Sequence, residues 1–171
     1  MQARRFQQRS TFPVRASRLW AFHMHRDALE VLAPPLSGFR VIDPGAGVED
    51  GSVLVAEVGV KPFRSRWTAL HCGVEPGRSF TDVALESPFA YWVHHHRVEV
   101  LEGERSSLTD TVWFVPPRWM PAWLGGPLVA AALKVFFAWR HRATRRWLAR
   151  NAAPRAGTGA ERRCFVPGGC S

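Results

Sequence analysis

Between residues 39 and 115 apolar and polar positions alternate with a period of two, the period of β-strands, whose successive side chains point to opposite faces. Strands are predicted over Phe39 to Ile42, Ser52 to Val60, Arg64 to Val74, Ser79 to Leu85, Ala90 to Leu101 and Ser106 to Val115. The turn signals DPGAG, EDG, KPF, EPG, ESP and EGE separate them. Connections this short favour antiparallel neighbours. A further strand is expected over Arg5 to Val14, with Phe6, Phe12 and Val14 on one face and Arg5, Arg9 and Thr11 on the other. Ser17 offers an N-cap for a helical region from Leu19 to Leu32, ended by Pro34 and Pro35, where Leu19, Trp20, Phe22, His23 and Leu29 recur at helical spacing. Pro127 suits the first turn of a long helix running to about Arg150. Its apolar stripe is Leu128, Ala132, Val135, Phe136, Trp139, Ala143 and Trp147, with arginines opposite. The predicted class is α+β: two short helices after the first strand, then a curved antiparallel sheet of about six to seven strands wrapped around a long C-terminal helix. A helix on a concave sheet touches it along only part of its length, and the space left over is a natural pocket.

The segment SPFAYWVHHHRVEV, Ser87 to Val100, carries the candidate chemistry. Strand alternation puts Trp92, His94, His96, Val98 and Val100 on one face and Tyr91, Val93, His95, Arg97 and Glu99 on the other, which ends in charges and is assigned to solvent. With a hairpin centred near Gly103, Asp110 falls opposite His96, and Asp82 lies on the other neighbouring strand within a residue or two of opposition. Histidines at i and i+2 lie about 7 Å apart at Cα, close enough to converge on one ion, but a metal site needs a third ligand. Hydrogen-bonded His–Asp pairs that organise the sheet and the pocket are the simpler expectation, with no metal and no cofactor. The predicted ligand-binding set is Trp92, His94, His96, Asp82, Asp110, Phe80, Trp113, Phe136 and Trp139. His94, His96 and His23 are the candidates for catalytic acid–base work. Trp119 and Trp123, in the loop before the last helix, are expected to gate the pocket as a flap or to touch a membrane. No nucleophile elbow and no phosphate-cradling loop is present in the sequence.

Composition narrows the partners. The chain has 171 residues, 46% hydrophobic and 22% charged, with eight tryptophans, as expected of one folded domain over 1–150 and a basic flexible tail over 151–171. The net charge of +9 sits largely at the two ends and comes almost entirely from arginine, since Lys61 and Lys134 are the only lysines. No recognition motif accompanies it, so nucleic acid is not an expected partner. Contact of the basic helix with an anionic membrane surface is a further reading. Cys72, Cys164 and Cys170 form no CxxC spacing, and MQARRFQQRSTF lacks the apolar stretch of a secretory signal. The uncharged run Trp119 to Leu133 is broken by Pro121, Gly125, Gly126 and Pro127 and is too short to span a bilayer. A reducing cytoplasm is the expected location.

The motifs FHMHRDALEVLAPP, FTDVALESPFAYWVHHHRV, LTDTVWFVPP and FFAWRHRATRRWL, in this order between Arg5 and Leu148, resemble the SRPBCC superfamily. Within it they are most similar to the START-like, polyketide cyclase/dehydrase-like bacterial branch. The positions that carry the resemblance are His23, Pro34, Pro35, Asp82, Pro88, Phe89, Trp92, His94, His96, Asp110, Pro116 and Arg140. The resemblance implies a helix-grip fold. It also implies the binding or carrying of a hydrophobic small molecule, such as a lipid, isoprenoid, quinone or polyketide-like compound, between the sheet and the C-terminal helix. Two alternatives stand beside it: a cyclase or dehydratase that uses cavity histidines as acid–base groups, and a membrane- or protein-interaction module built on the basic last helix. The superfamily spans carriers, receptors, cyclases and chaperone activators, so fold alone does not choose among them.

Overall fold

Each alternating run becomes a strand of one antiparallel sheet. A computed structural model describes residues 2–151 apart from 26, 36 and 63, so the tail with Cys164 and Cys170 lies outside the described residues. The chain forms β1 (Arg4–Phe12), α1 (Ala16–His23), α2 (Ala28–Leu32), β2 (Arg40–Asp43), β3 (Val53–Val58), β4 (Ser65–Glu75), β5 (Ser79–Glu86), β6 (Tyr91–Leu101), β7 (Arg105–Val115) and α3 (Ala122–Arg150). The strand order is β1-β7-β6-β5-β4-β3-β2. Consecutive hairpins therefore build β2 to β7, and β1 closes the far edge against β7. The β6–β7 register runs unbroken from Tyr91↔Val115 to Leu101↔Arg105. Its turn holds Gly103 and Glu104 at φ of 66° and 57°, the left-handed region that tight hairpins require. Pairing shifts along β4, between Thr68 and Ala69 and between Cys72 and Glu75, put extra residues in one strand and bend the sheet. Gly38 ties the segment after α2 to the end of β3. A Cβ there would stand 2.1 Å from the Gly59 carbonyl oxygen, so only glycine allows the two backbones to meet.

Four sequence expectations are corrected. The first helix begins at Ala16, with Arg15 at its N-cap and no side-chain cap, so Ser17 lies inside it. It ends at His23, and α2 restarts at Ala28 after a turn in which Ala28 N donates to the His25 carbonyl. Helical spacing carried across the break because both helices pack on one core. Second, α3 starts at Ala122, before Pro127, and its 29 residues span about 43 Å at 1.5 Å each. Leu124 N and Gly125 N both donate to the Pro121 carbonyl, and Pro127 removes only one later bond from the ladder. Third, the buried face of α3 is Val129, Leu133, Phe137, His141, Ala143, Thr144 and Leu148, about one residue round from the expected stripe, of which Ala143 is buried as expected. Leu128 and Val135 are exposed. The helix turns this way because His141 finds its hydrogen-bond partners, Ser10 and Asp110, on the sheet, while Thr144 bonds to the Arg140 carbonyl of its own helix and is buried without an unmet donor. Val100, expected inward, is also exposed, near the β6–β7 turn.

The interior divides in two. Phe12, Leu19, Phe22, Leu32, Val98, Leu108 and Leu148 form one cluster beneath α1 and α2. Trp92, Val112, Phe114, Val129, Leu133 and Phe137 form another beneath the first half of α3.

Candidate functional site

Register places the polar residues in two adjacent rows on the inner face of the sheet. His71 of β4 pairs with Asp82 of β5, which pairs with His94 of β6. One row on, Phe80 pairs with His96, which pairs with Asp110 of β7. The carboxylates then bind along both the rows and the diagonals. His94 Nε2 donates to Asp110 Oδ1 at 2.9 Å, and His96 Nε2 donates to Asp82 Oδ2 at 3.1 Å. From α3, His141 Nε2 donates to Asp110 Oδ2 at 2.6 Å while its Nδ1 meets Ser10 Oγ at 2.7 Å. Two further contacts are electrostatic rather than directed hydrogen bonds: His96 Nδ1 to Asp110 Oδ1 at 2.8 Å and His71 Nε2 to Asp82 Oδ1 at 3.2 Å. His23 of α1 donates to the Leu19 carbonyl at 2.8 Å and packs edge-on against His96, and the Phe80 ring stacks on His96 at 4.1 Å between centroids.

Burial and charge sort these groups. Burial pushes the His94 imidazole down to about 4, His96 adds to the effect, and Asp110 opposes it. His23 is taken to about 4 by burial, again with His96 contributing. For His96 burial also disfavours charge, but Asp110 and Asp82 together outweigh it and raise the pKa. Burial alone would raise Asp82, yet hydrogen bonding to His96 and the nearby histidines hold it at about 2. Asp110 lies well below its ordinary value: His96, His141 and His94 outweigh its burial. The two carboxylates thus favour the charged form of His96 over that of its neighbours His94 and His23. His94 remains neutral and keeps its Nδ1 lone pair on the side of Asp82, 3.6 Å from Oδ2.

Beside this cluster the sheet and α3 part to leave a chamber of about 340 Å³. Leu54 and Val58 of β3, with Trp67 and Ala69 of β4, form its floor; Pro88, Phe89 and Trp92 close one side. Leu29 and Leu32 of α2 face it, and Leu133, Phe136 and Phe137 of α3 roof it. The charged or imidazole groups in its wall are Asp82, His94 and Arg140. Of the residues assigned to ligand binding from sequence, Trp92, His94, Asp82 and Phe136 line the chamber. His96, Asp110 and Phe80 stand behind that wall in the polar cluster, as does His23. Trp113 and Trp139 are corrected. Trp113 alternates with the buried Val112 and Phe114 and so faces the outer side of the sheet. Trp139 lies on the flank of α3 beneath the Arg146 guanidinium, away from the chamber, because the helix is rotated from the expected orientation. Trp119 and Trp123 are 80% and 77% exposed and do not line the chamber.

Sequence reasoning passed over His71, His141 and Ser10. His71 shares its face of β4 with Ala69 and Trp67, so strand parity identifies it once Asp82 is known to pair there. His141 follows Phe137 by four residues, one helical turn along the buried face. Ser10, His141 and Asp110 have the residue types of a hydrolase triad, but Ser10 does not line the chamber. Asp82, His94 and His96 offer ligand atoms within 4.8 Å of one another, donors suited to a divalent cation. Asp82 and His96 are already paired with each other and His94 with Asp110, while His71 Nδ1, Asp82 Oδ1 and His96 Nδ1 have no hydrogen-bond partner.

No curated protein matches the chain significantly in sequence. Solved structures do match in fold. An aromatase/cyclase from a Streptomyces superposes with a TM-score of 0.70 at 19% identity, covering 92% of this chain and 99% of that one. Norcoclaurine synthase from Thalictrum flavum, bound to dopamine and hydroxybenzaldehyde, gives 0.64 at 10% identity over 88% and 89%. A nucleoside-diphosphate sugar epimerase from Corynebacterium glutamicum gives 0.66 at 24% identity over 85% of this chain, which spans only 30% of the epimerase's length. These likenesses establish the helix-grip fold. Residues 34–148, which include both rows of the polar cluster and nearly all of the chamber wall, match the model of a domain of unknown function, DUF8410, and the chain belongs to that family.

Proposed function

We propose that this protein binds or carries a hydrophobic small molecule in the chamber between the sheet and α3. The observation that carries the reading is the distribution of polarity: apolar walls on four sides, with charged and imidazole groups gathered at one end. Small-molecule sites have this form, a few placed polar groups in an apolar cleft of roughly 300 to 1,000 Å³. At about 340 Å³ the chamber suits a compact isoprenoid, quinone, polyketide-like ring system or short-chain lipid. Helix-grip neighbours that include a cyclase and an enzyme with aromatic compounds bound support the same reading. Native mass spectrometry of the gently purified full chain, followed by denaturing extraction, tests it. A discrete apolar adduct is expected. A clean apo mass that persists after incubation with a lipid, quinone and aromatic mixture would sink the proposal.

One feature favours acid–base catalysis in the same chamber as a second reading. His94 is neutral, held in one tautomer by Asp110, and keeps a lone pair at the polar end, as a general base requires. His94→Gln should then abolish turnover of an identified ligand while leaving its binding intact. Unchanged turnover would leave His94 a binding and structural group.

A further inference from the structure

The polar end of the chamber contains one charge that the protein does not neutralise at contact distance. Asp82 is bonded to His96, and Asp110 is bonded to His94 and His141 and touched by His96, so both carboxylates have close partners. Arg140 does not. Among the described residues no carboxylate oxygen lies within 4.0 Å of its guanidinium, and its side chain makes no hydrogen bond. It is nevertheless a chamber residue. Helix geometry puts it there: Arg140 follows Phe136 by four residues and Phe137 by three, so all three share one face of α3. Its guanidinium carbon sits 5.5 Å from the Phe136 ring centre and 5.7 Å from that of Phe137. Those faces fix its direction without occupying its N–H donors.

Arg140 is half-buried at the chamber wall, so the unused donors of its guanidinium are open to whatever occupies the chamber. Burial lowers its pKa, and the charges of Asp110 and Asp82 oppose that shift without cancelling it. An anion meeting the donor fork would restore the missing compensation through charge-assisted, bidentate hydrogen bonds. We propose that Arg140 is an anion-binding subsite and that the chamber takes a hydrophobic molecule bearing a single acidic group, with the acid on Arg140 and the apolar body against Trp67, Trp92 and Phe89. This deepens the reading of the chamber as a hydrophobic-ligand site and rests on it. His94 and Asp82 then lie beside the acidic end of the ligand rather than at its tail.

The test uses two fluorescent probes with the same ring system: anilinonaphthalene sulfonate, which carries an anionic group, and phenylnaphthylamine, which lacks it. Both are titrated into the full chain and into Arg140→Met, which keeps an unbranched apolar side chain. The native protein should bind the sulfonate at least about tenfold more tightly than the neutral probe, and the variant should lose that preference while binding the neutral probe as before. Equal affinity of the native protein for both probes, or a preference that survives Arg140→Met, would overturn the inference and leave the hydrophobic site standing. A variant that loses both probes together would show Arg140 to be a packing residue. If the native protein binds neither probe, the reading of the chamber itself fails, and the inference fails with it.

Discussion

The two ends of the space between sheet and helices are built from similar residues and finished differently. Beneath α1, Leu19 and Phe22 enter the sheet face and meet Phe12, Val98, Leu108 and Leu148, and that end is solid. Beneath the first half of α3 the wall contains Ala69 and Ala132, while large rings at Trp67, Phe89 and Phe136 stand around a space instead of filling it. Besides α3 only the short α2 reaches that end, through Leu29 and Leu32, because α1 packs on the other one. Hollowness here is a property of side-chain size and of which elements cover which strands. The His–Asp cluster lies between the two ends, with His23 and Phe80 turned to the solid side and His94 and Asp82 to the chamber. It separates a packed region from a hollow one.

That contrast should show in mutants. Phe22→Ala removes a fully buried ring from the solid end and should cost about 3 to 5 kcal/mol in chemical denaturation. Phe136→Ala, beside an existing void, should cost under about 2 kcal/mol while changing ligand affinity. Equal losses would mean that the two ends are packed alike. Asp110→Asn withdraws the charge that holds three histidines and should cost roughly 3 kcal/mol. It should also lower the NMR titration midpoint of His96, and an unmoved midpoint would place the proton elsewhere.

Acid should act through the same partition. His23 and His94 titrate at about 4 in the folded protein against an ordinary 6.5, so the unfolded chain binds more protons between those values. Stability from this source is full above pH 6.5 and is lost as pH falls toward 4. His96 has the opposite sign: its raised pKa gives stability below the ordinary value that is lost as pH rises through the folded one. Asp82 adds a loss only as pH drops from 3.8 toward 2. The net fall on acidification from pH 7 to pH 4 should be on the order of 5 kcal/mol, since each of the two lowered histidines loses about 3 and His96 returns less than about 1, read from urea melts. A flat profile between pH 7 and 4 would contradict the neutral state of the two histidines. The smallest contrast comes from filling each end. Ala28→Leu in the solid end should cost about 1 to 2 kcal/mol through overpacking. Ala69→Leu should leave stability within about 1 kcal/mol and block ligand entry to the chamber.

Much of the sheet was legible because its information is local. Short turns fixed antiparallel pairing, the turn at Gly103 fixed the β6–β7 register, and that register alone put Asp110 opposite His96. Parity along β6 gave the inward face of His94 and His96 correctly as far as Val98. What escaped depends on how separate elements meet. The rotation of α3 is tied to the partners of His141, which lie on β1 and β7, and no local pattern reveals it. Trp139 is misplaced for the same reason, whereas the outward face of Trp113 follows from parity along β7 once Asp110 points inward. Arg140 was visible only as a position in the resemblance, since its lack of a partner is a three-dimensional fact.

The most direct test follows the tryptophan indole N–H resonances by NMR while a compact hydrophobic ligand, phenylnaphthylamine, is added to the full chain. Trp67 and Trp92 line the chamber, whereas Trp20 and Trp147 pack against the solid end. Saturable shifts of Trp67 and Trp92, with Trp20 and Trp147 unmoved, are the predicted result. Shifts centred on Trp20 and Trp147, or none at any indole, would contradict a ligand chamber beneath the first half of α3.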